Sequence, residues 1–138
     1  MRCCLKVIPM KSVNGAAFGC SREELRALFG EPDCSFLKDP DDAVDTDDYG
    51  TFHVFYDDGY RFEALEVVAC DEAEIFYDGE RLPESYSEVL EFFNELYDDV
   101  DEDDCGFISE DGSVGAYIEN DDDELDTILF GREDYYRS

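Results

Sequence analysis

The feature that most constrains this chain is a run of acids between Asp98 and Asp104, in which every residue except Val100 is Asp or Glu. The run follows an amphipathic helical pattern and precedes a hairpin pattern, so it must lie on the surface of a folded domain. Like charges crowded in this way repel one another and destabilise a compact state. Folding stability alone therefore does not explain the run.

Two capping boxes predict where helices begin. Ser21 with Glu24 opens the first helix, which ends at Gly30. Ser85 with Glu88 opens the second, whose apolar residues recur at helical spacing: Val89, Leu90, Phe92, Phe93, Leu96 and Tyr97. The acidic run begins at the C-terminal end of this second helix, where the helix dipole disfavours negative charge. This placement lowers stability and indicates that the run serves another purpose.

Stretches rich in aromatic and β-branched residues, separated by turn signals, predict the strands. They are residues 3–8, 51–56, 60–69, 74–77, 106–109, 113–119 and 125–130. Asp-Gly turns at residues 57–59 and 110–112 predict hairpins, whereas residues 33–50 lack periodicity and predict a loop. We expect residues 1–138 to form a single α+β domain. Its core would be a mainly antiparallel sheet of about six or seven strands, with two helices packed on one face.

The composition restricts the class of partner. The chain carries 39 Asp and Glu against 10 Lys and Arg, a formal net charge of −29, although 43% of its residues are hydrophobic. Solubility of a small domain needs a charge of only roughly 2–8. Such a surface repels nucleic acid and anionic membranes and attracts basic proteins. No stretch approaches the roughly 20 apolar residues of a membrane helix.

The cysteine pattern indicates a reducing compartment. The chain has six cysteines: Cys3, Cys4, Cys20, Cys34, Cys70 and Cys105. The first ten residues lack the apolar run of a signal peptide, and no two cysteines have the Cys-x-x-Cys spacing typical of zinc sites. We therefore expect free thiols and a cytoplasmic location.

Catalysis is not expected. The only histidine, His53, lies within a strand pattern, and no nucleophile-elbow, phosphate-loop, dinucleotide or zinc-hydrolase motif occurs. Paired carboxylates can act as acid and base when their environments differ. With 39 acids in the chain, however, a pair at any given spacing carries no information.

Calcium binding is one interpretation of the acidic run. Asp99, Asp101, Asp103 and Glu110 match positions 1, 3, 5 and 12 of an EF-hand loop. Position 6 is Asp104 rather than the Gly that the turn of this loop requires, and the following residues predict a strand. We therefore expect no cofactor and no specific metal site, and keep a divalent-metal-binding acidic module as an alternative.

Three acidic clusters, at residues 39–48, 98–104 and 119–124, all fall in predicted loops or at the ends of predicted elements, and they are predicted to form the binding surface. Acids two apart on an extended chain lie roughly 6.6 Å from each other, close to two steps of about 3.4 Å along a nucleic-acid strand. Such a surface fits a Lys/Arg groove built for phosphates. The candidate partner-binding residues are Asp41, Asp42, Asp45, Asp47, Asp48, Asp98, Asp99, Asp101, Glu102, Asp103, Asp104, Asp121, Asp122, Asp123 and Glu124.

Two resemblances extend this hypothesis. Residues 18–25 (FGCSREEL) and 28–32 (LFGEP) resemble the turn, capped helix and Gly-x-Pro unit of small bacterial immunity-type proteins. The overall acidity resembles that of nucleic-acid-mimicking inhibitors, including phage anti-CRISPR and anti-restriction proteins. These resemblances imply a stoichiometric inhibitor of a CRISPR effector or other defence nuclease or, alternatively, an immunity protein that neutralises a bacterial toxin. The remaining alternatives are a halophilic or merely solvated acidic surface, and an ordinary scaffold or housekeeping domain.

Overall fold

Strands and two helices follow one another through residues 3–119 and 122–136, which the computed structural model describes. In chain order the elements are β1 (Cys3–Ile8), β2 (Ser12–Val13), β3 (Ala16–Ala17), α1 (Arg22–Phe29), β4 (Cys34–Phe36), β5 (Thr46–Asp48), β6 (Phe52–Tyr56), β7 (Phe62–Val67), β8 (Ala73–Tyr77), β9 (Glu80–Arg81), α2 (Tyr86–Leu96), β10 (Asp101–Asp103), β11 (Gly106–Ser109), β12 (Val114–Tyr117) and β13 (Thr127–Gly131). A 3₁₀ turn, Cys70–Glu72, precedes β8.

The strands form two sheets. The smaller has the order β3-β2-β1-β8-β9, and its central pair, β1 and β8, is parallel, with Leu5 opposite Ile75 and Val7 opposite Tyr77. The larger has the order β10-β11-β12-β13-β7-β6-β5-β4, and its neighbouring strands are all antiparallel. Strands β10 and β4 are therefore the two edges of the larger sheet.

One hydrophobic core joins both sheets and both helices. The five-stranded sheet contributes Leu5 and Val7, the eight-stranded sheet Val54 and Ile128, α1 contributes Leu25 and α2 contributes Val89 and Phe93. The ring of Tyr77 lies 5.0 Å from that of Phe93 and 5.8 Å from that of Phe130, between centroids. Burying one such side chain stabilises the fold by roughly 1.5–3 kcal/mol. The sheets and helices therefore depend on one another for their burial.

The α+β class and the mainly antiparallel pairing are confirmed, but the predicted strand number and packing are wrong. The described residues contain thirteen strands in two sheets. The opposite face of the larger sheet is also partly covered, since Tyr135 and Tyr136 pack against Phe55, Ala64 and Leu129. The missed strands are two or three residues long and too short to show a period-two pattern, so tertiary pairing defines them.

The predicted starts of both helices are confirmed. The Ser21 hydroxyl accepts the amide of Glu24 at 3.1 Å, and the Glu24 carboxylate accepts the amide of Ser21 at 3.3 Å. The Ser85 hydroxyl accepts the amide of Glu88 at 3.3 Å. The predicted loop at residues 33–50 is wrong because it contains β4 and β5. Neither helix of the described residues is long and apolar enough to cross a bilayer.

Candidate acidic interaction surface

Positive charge is distributed very unevenly along the chain. Between Arg81 and Arg132 there are eighteen Asp and Glu residues and no Lys or Arg. This cation-free segment, residues 82–131, contains α2 and the four strands β10 to β13. It also contains two of the three predicted acidic clusters. The negative charge there has no cation from its own segment to neutralise it.

The centre of the acidic run forms an edge strand, which corrects the prediction that all three clusters lie in loops or at the ends of elements. In β10, Asp101 lies opposite Ile108, Glu102 opposite Phe107 and Asp103 opposite Gly106. All three β10 residues are exposed. Because side chains alternate across a strand, Asp101 and Asp103 lie on one face and Glu102 on the other.

Some acids of the run support the local structure. The Asp99 carboxylate accepts the Ser109 hydroxyl at 2.6 Å and the Asp111 amide at 2.9 Å. Although partial burial opposes it, this hydrogen bonding holds the pKa of Asp99 below its ordinary value. One carboxylate oxygen of Asp103 accepts the amides of Cys105 and Gly106 at 2.8 and 3.1 Å, which closes the turn between β10 and β11.

Other acids of the run have open carboxylates. Asp98, Asp101 and Asp104 are exposed, and their side chains form no hydrogen bond or ion pair with the rest of the described chain. Asp101 belongs to β10, and Asp98 and Asp104 lie in the turns on either side of this strand. These three are the acids of the run whose carboxylates are wholly unengaged by the described chain.

Tyr86, the first residue of α2, connects the second and third acidic clusters. Its hydroxyl donates to the Glu102 carboxylate at 3.0 Å, and its backbone amide donates to the Asp123 carbonyl at 2.9 Å. Burial, and then the bond to Glu102, raise the pKa of Tyr86. The Asp123 carboxylate accepts the amide and hydroxyl of Ser87 at 2.9 and 2.7 Å, at the end of α2 where the dipole favours an anion.

The remaining residues of the third cluster lie beside this contact. Asp122 is exposed and accepts the amide of Glu124 at 3.2 Å. Glu124 is also exposed and forms a β-bridge with Ser85. Asp121 lies outside the described residues. The structure thus brings residues 122–124 and β10 to one region at the N-terminal end of α2.

An open cleft of about 480 Å³ extends this region, with Asp71, Glu84, Glu124 and Asp126 among its lining residues. The Cys70 thiol in its wall donates to the Asp126 carbonyl at 3.4 Å. Burial, followed by the nearby charge of Asp126, raises the pKa of Cys70 to about 12. This thiol is protonated at neutral pH and is not an activated nucleophile.

Asp47, in the first cluster, does not belong to an exposed surface, contrary to its predicted partner-binding role. It is 0% exposed and accepts hydrogen bonds from Arg22 at 2.6 Å, Tyr56 at 2.7 Å, and Arg26 and Ser35 at 2.8 Å. Burial alone raises its pKa, but the bonds from the two arginines, Tyr56 and Ser35 outweigh that effect and hold it far below the usual range. Its charge is neutralised inside the protein.

The neighbours of Asp47 are also engaged. Asp45 accepts the Tyr60 hydroxyl at 2.7 Å and pairs with Arg22 at 3.2 Å, and the Tyr60 bond is the main cause of its lowered pKa. Asp48 accepts the amide of Gly50 at 2.7 Å. Both are half-buried, so they offer a partner much less than the sequence predicts.

The exposed acids of the first cluster follow the strand at the other edge of the larger sheet. Asp41 and Asp42 are exposed in the connection between β4 and β5, and Asp42 accepts the amide of Asp39 at 3.0 Å. Strands β4 and β10 are the opposite edges of the eight-stranded sheet. Asp42 also lines a surface cleft together with Phe55 of β6, Glu63 of β7 and Tyr135, so this connection turns back over the larger sheet. The first cluster therefore reaches the sheet from the edge opposite β10.

The side chains of His53 and Cys34 both lie near Asp48. His53 Nε2 lies 3.6 Å from an Asp48 carboxylate oxygen, and its ring packs edge-on against Phe36. The Cys34 thiol contacts Asp48 rather than His53. Its pKa is raised by desolvation and then by the Asp48 charge, which disfavours the thiolate. In the part of the chain that the structure describes, no three His, Cys, Asp or Glu side chains are placed to hold a metal ion.

Sequence reasoning missed the residues that divide the acids into buried and open groups. Arg22 and Arg26 are four apart on α1, and this spacing places two cations on one helix face. That pattern is a signal for a shared carboxylate partner such as Asp47. The cation-free segment is readable from the positions of Lys and Arg. The contact between Tyr86 and Glu102 leaves no signal in the sequence, since folding alone brings them together.

Comparison with known proteins adds no family to this description. No protein-family model matches the chain, and no curated protein or solved structure matches it at a significant level. The functional interpretation rests on the residues, distances and charges described above.

Proposed function

We propose that this protein is a non-enzymatic, stoichiometric inhibitor that blocks the nucleic-acid-binding surface of a basic protein. The target class is a CRISPR effector, another defence nuclease or a toxin nuclease. The observation that carries the proposal is the cation-free segment, with eighteen acids between Arg81 and Arg132. A groove lined by Lys and Arg attracts such a surface over long distances and accelerates association.

The spacing of the acids along β10 supports a nucleic-acid-mimicking role. Asp101 and Asp103 share one face of an extended strand, and two residues of strand rise separate them by roughly 6.6 Å. The rise along the helix axis over two nucleotide steps is of similar size, roughly 6.8 Å. The pairing of β10 with β11 holds the acids in place, so little conformational freedom is lost on binding.

The test compares two triple variants with the same change in charge. One neutralises the open acids of the run, D98N/D101N/D104N, and the other neutralises exposed acids outside the three clusters, D58N/E72Q/E80Q. Purified CRISPR effector complexes and toxin nucleases, with cleavage of DNA as the readout, serve as targets. Three surface charges at roughly 0.5–1 kcal/mol each correspond to a roughly 10–100-fold loss of inhibition for the first variant. The second variant should stay close to the wild type.

Two results would overturn the proposal. The first is the absence of inhibition by the wild-type protein across all the nucleases tested. The second is an equal loss in both triple variants, because net charge rather than this surface would then set the affinity. Higher salt should weaken wild-type inhibition, since screening shortens the range of the attraction.

A further inference from the structure

The outer side of β10 is an open sheet edge. Within residues 3–119 and 122–136, β11 is the only strand that pairs with β10. The other side of an edge strand presents backbone amides and carbonyls that are ready to pair with another chain. All three β10 residues are exposed, and none of the strands in the described residues pairs with this side of β10.

The side chains at this edge determine which strand it accepts. Every residue of β10 is an acid, and like charges placed opposite one another destabilise a sheet. Two copies of β10 would bring two rows of carboxylates together, so the edge rejects a second copy of this chain. A strand that carries Lys or Arg instead forms opposite-charge pairs across the junction.

The edge is also held rigid at both ends. Asp99 is anchored to Ser109 at 2.6 Å just before β10, and Asp103 closes the following turn by accepting the Gly106 amide at 3.1 Å. Between these points, Glu102 accepts the Tyr86 hydroxyl from α2 at 3.0 Å. A strand fixed in this way is prepared for an additional strand, because little further ordering is needed.

We infer that β10 binds an extended basic segment of the partner protein as a ninth strand of the larger sheet. Backbone hydrogen bonds to the open edge supply affinity, and Lys or Arg side chains next to Asp101, Glu102 and Asp103 supply selectivity. This inference rests on the proposed function, since it specifies how the acidic surface holds a basic partner. It differs from pure charge mimicry because it requires the partner's backbone.

The experiment uses two synthetic peptides of equal length and equal charge as probes. One alternates Lys with Val and can form a strand. The other alternates Lys with Pro, which lacks the backbone amide that a strand needs. Binding to the full-length protein is measured by fluorescence anisotropy, and amide hydrogen exchange of β10 by NMR. The Lys-Val peptide should bind at least about tenfold more tightly and should slow exchange at Asp101–Asp103.

A pair of charge reversals provides the matched control. Asp101→Lys should abolish binding of the Lys-Val peptide, whereas Asp58→Lys, the same charge change at an exposed turn, should retain it. Amide spectra of both variants verify that the fold is intact. Equal affinity of the two peptides, or unchanged exchange in β10, overturns the ninth-strand inference. Inhibition of nucleases by the wild-type protein would in that case still support the charge-based proposal, so the two failures are distinguishable.

Discussion

Acids at the two edges of the eight-stranded sheet have opposite roles. In β5, next to one edge, Asp47 is completely buried and is bound by two arginines of α1. In β10, at the other edge, Asp101 is exposed and has no cation within its own segment. The residue type is the same in both places. The role of an acid in this protein therefore depends on whether a neighbouring element supplies positive charge.

The two helices explain the difference between the edges. Both begin at a Ser cap, but α1 has Arg26 in its last turn and α2 has no basic residue there. Arg22 of α1 also packs over the rings of Tyr56 and Tyr60, at 5.4 and 4.7 Å from their centroids. Helix α1 thus binds β5 through ion pairs with Asp47, whereas α2 supplies no cation to the acids near it.

The largest expected effect comes from removing the buried charge. We expect Asp47→Asn to lower the free energy of unfolding by about 3 kcal/mol, because Arg22 and Arg26 lose the anion that compensates them. Urea denaturation measures this change. Asp41→Asn, at an exposed acid of the same cluster, should stay within about 0.5 kcal/mol of the wild type. If both variants lower the free energy of unfolding by a similar amount, the buried and the exposed acids do not differ in their contribution to stability.

The difference in unfolding free energy between wild type and Asp47→Asn should depend on pH. The pKa of Asp47 is far below its ordinary value in the folded state and about 3.9 in the unfolded chain. As the pH falls, the unfolded state therefore binds the proton first and the stabilisation by Asp47 is lost. The difference should be constant near pH 7 and should narrow below about pH 5. A constant difference down to pH 3 would contradict the role assigned to the carboxylate.

The features of the fold that could be predicted are those encoded locally. The capping residues Ser21 and Ser85 mark the starts of both helices, and the Asp-Gly turns mark the hairpins. Strands β5 and β10 consist mainly of acids, which have low strand propensity. They form only because β6 and β11 offer ladder partners. No local pattern could therefore have predicted them.

The candidate surface was also predictable only where local sequence encodes it. The acidic run and its position after α2 follow from the sequence, and the structure confirms that α2 ends at Leu96. The burial of Asp47 does not follow, because its partners lie on α1, more than twenty residues away along the chain. Distant contacts of this kind decide which acids remain open.

Within the acidic run, Asp99 should behave as a structural residue. We expect Asp99→Asn to destabilise the fold by about 1 kcal/mol, because its carboxylate accepts bonds from Ser109 and from the amide of Asp111. Thermal or urea unfolding measures the change. Ser109→Ala should have an effect of similar size, and the double variant should fall short of the sum, since both substitutions remove the same bond. Full additivity would contradict this interpretation.

The smallest expected effect is a stabilisation, and it comes from Asp98, the residue before Asp99. Asp98 lies just after the C-terminal end of α2, where the helix dipole disfavours an anion. Asp98→Asn should therefore stabilise the fold by about 0.3–1 kcal/mol at low salt.

Glu23→Gln, in the first turn of α1, is the matched control and should destabilise by a similar amount, because an anion is favoured at that end of a helix. Urea denaturation at low salt and at about 1 M salt separates this effect from packing, because the screening length then falls to about 3 Å. The two substitutions should change the free energy of unfolding in opposite directions, and both changes should shrink at high salt. That result would show that the acidic run lies where its charge destabilises the fold. If both substitutions instead change the free energy of unfolding in the same direction, the effect at Asp98 comes from the overall charge of the chain.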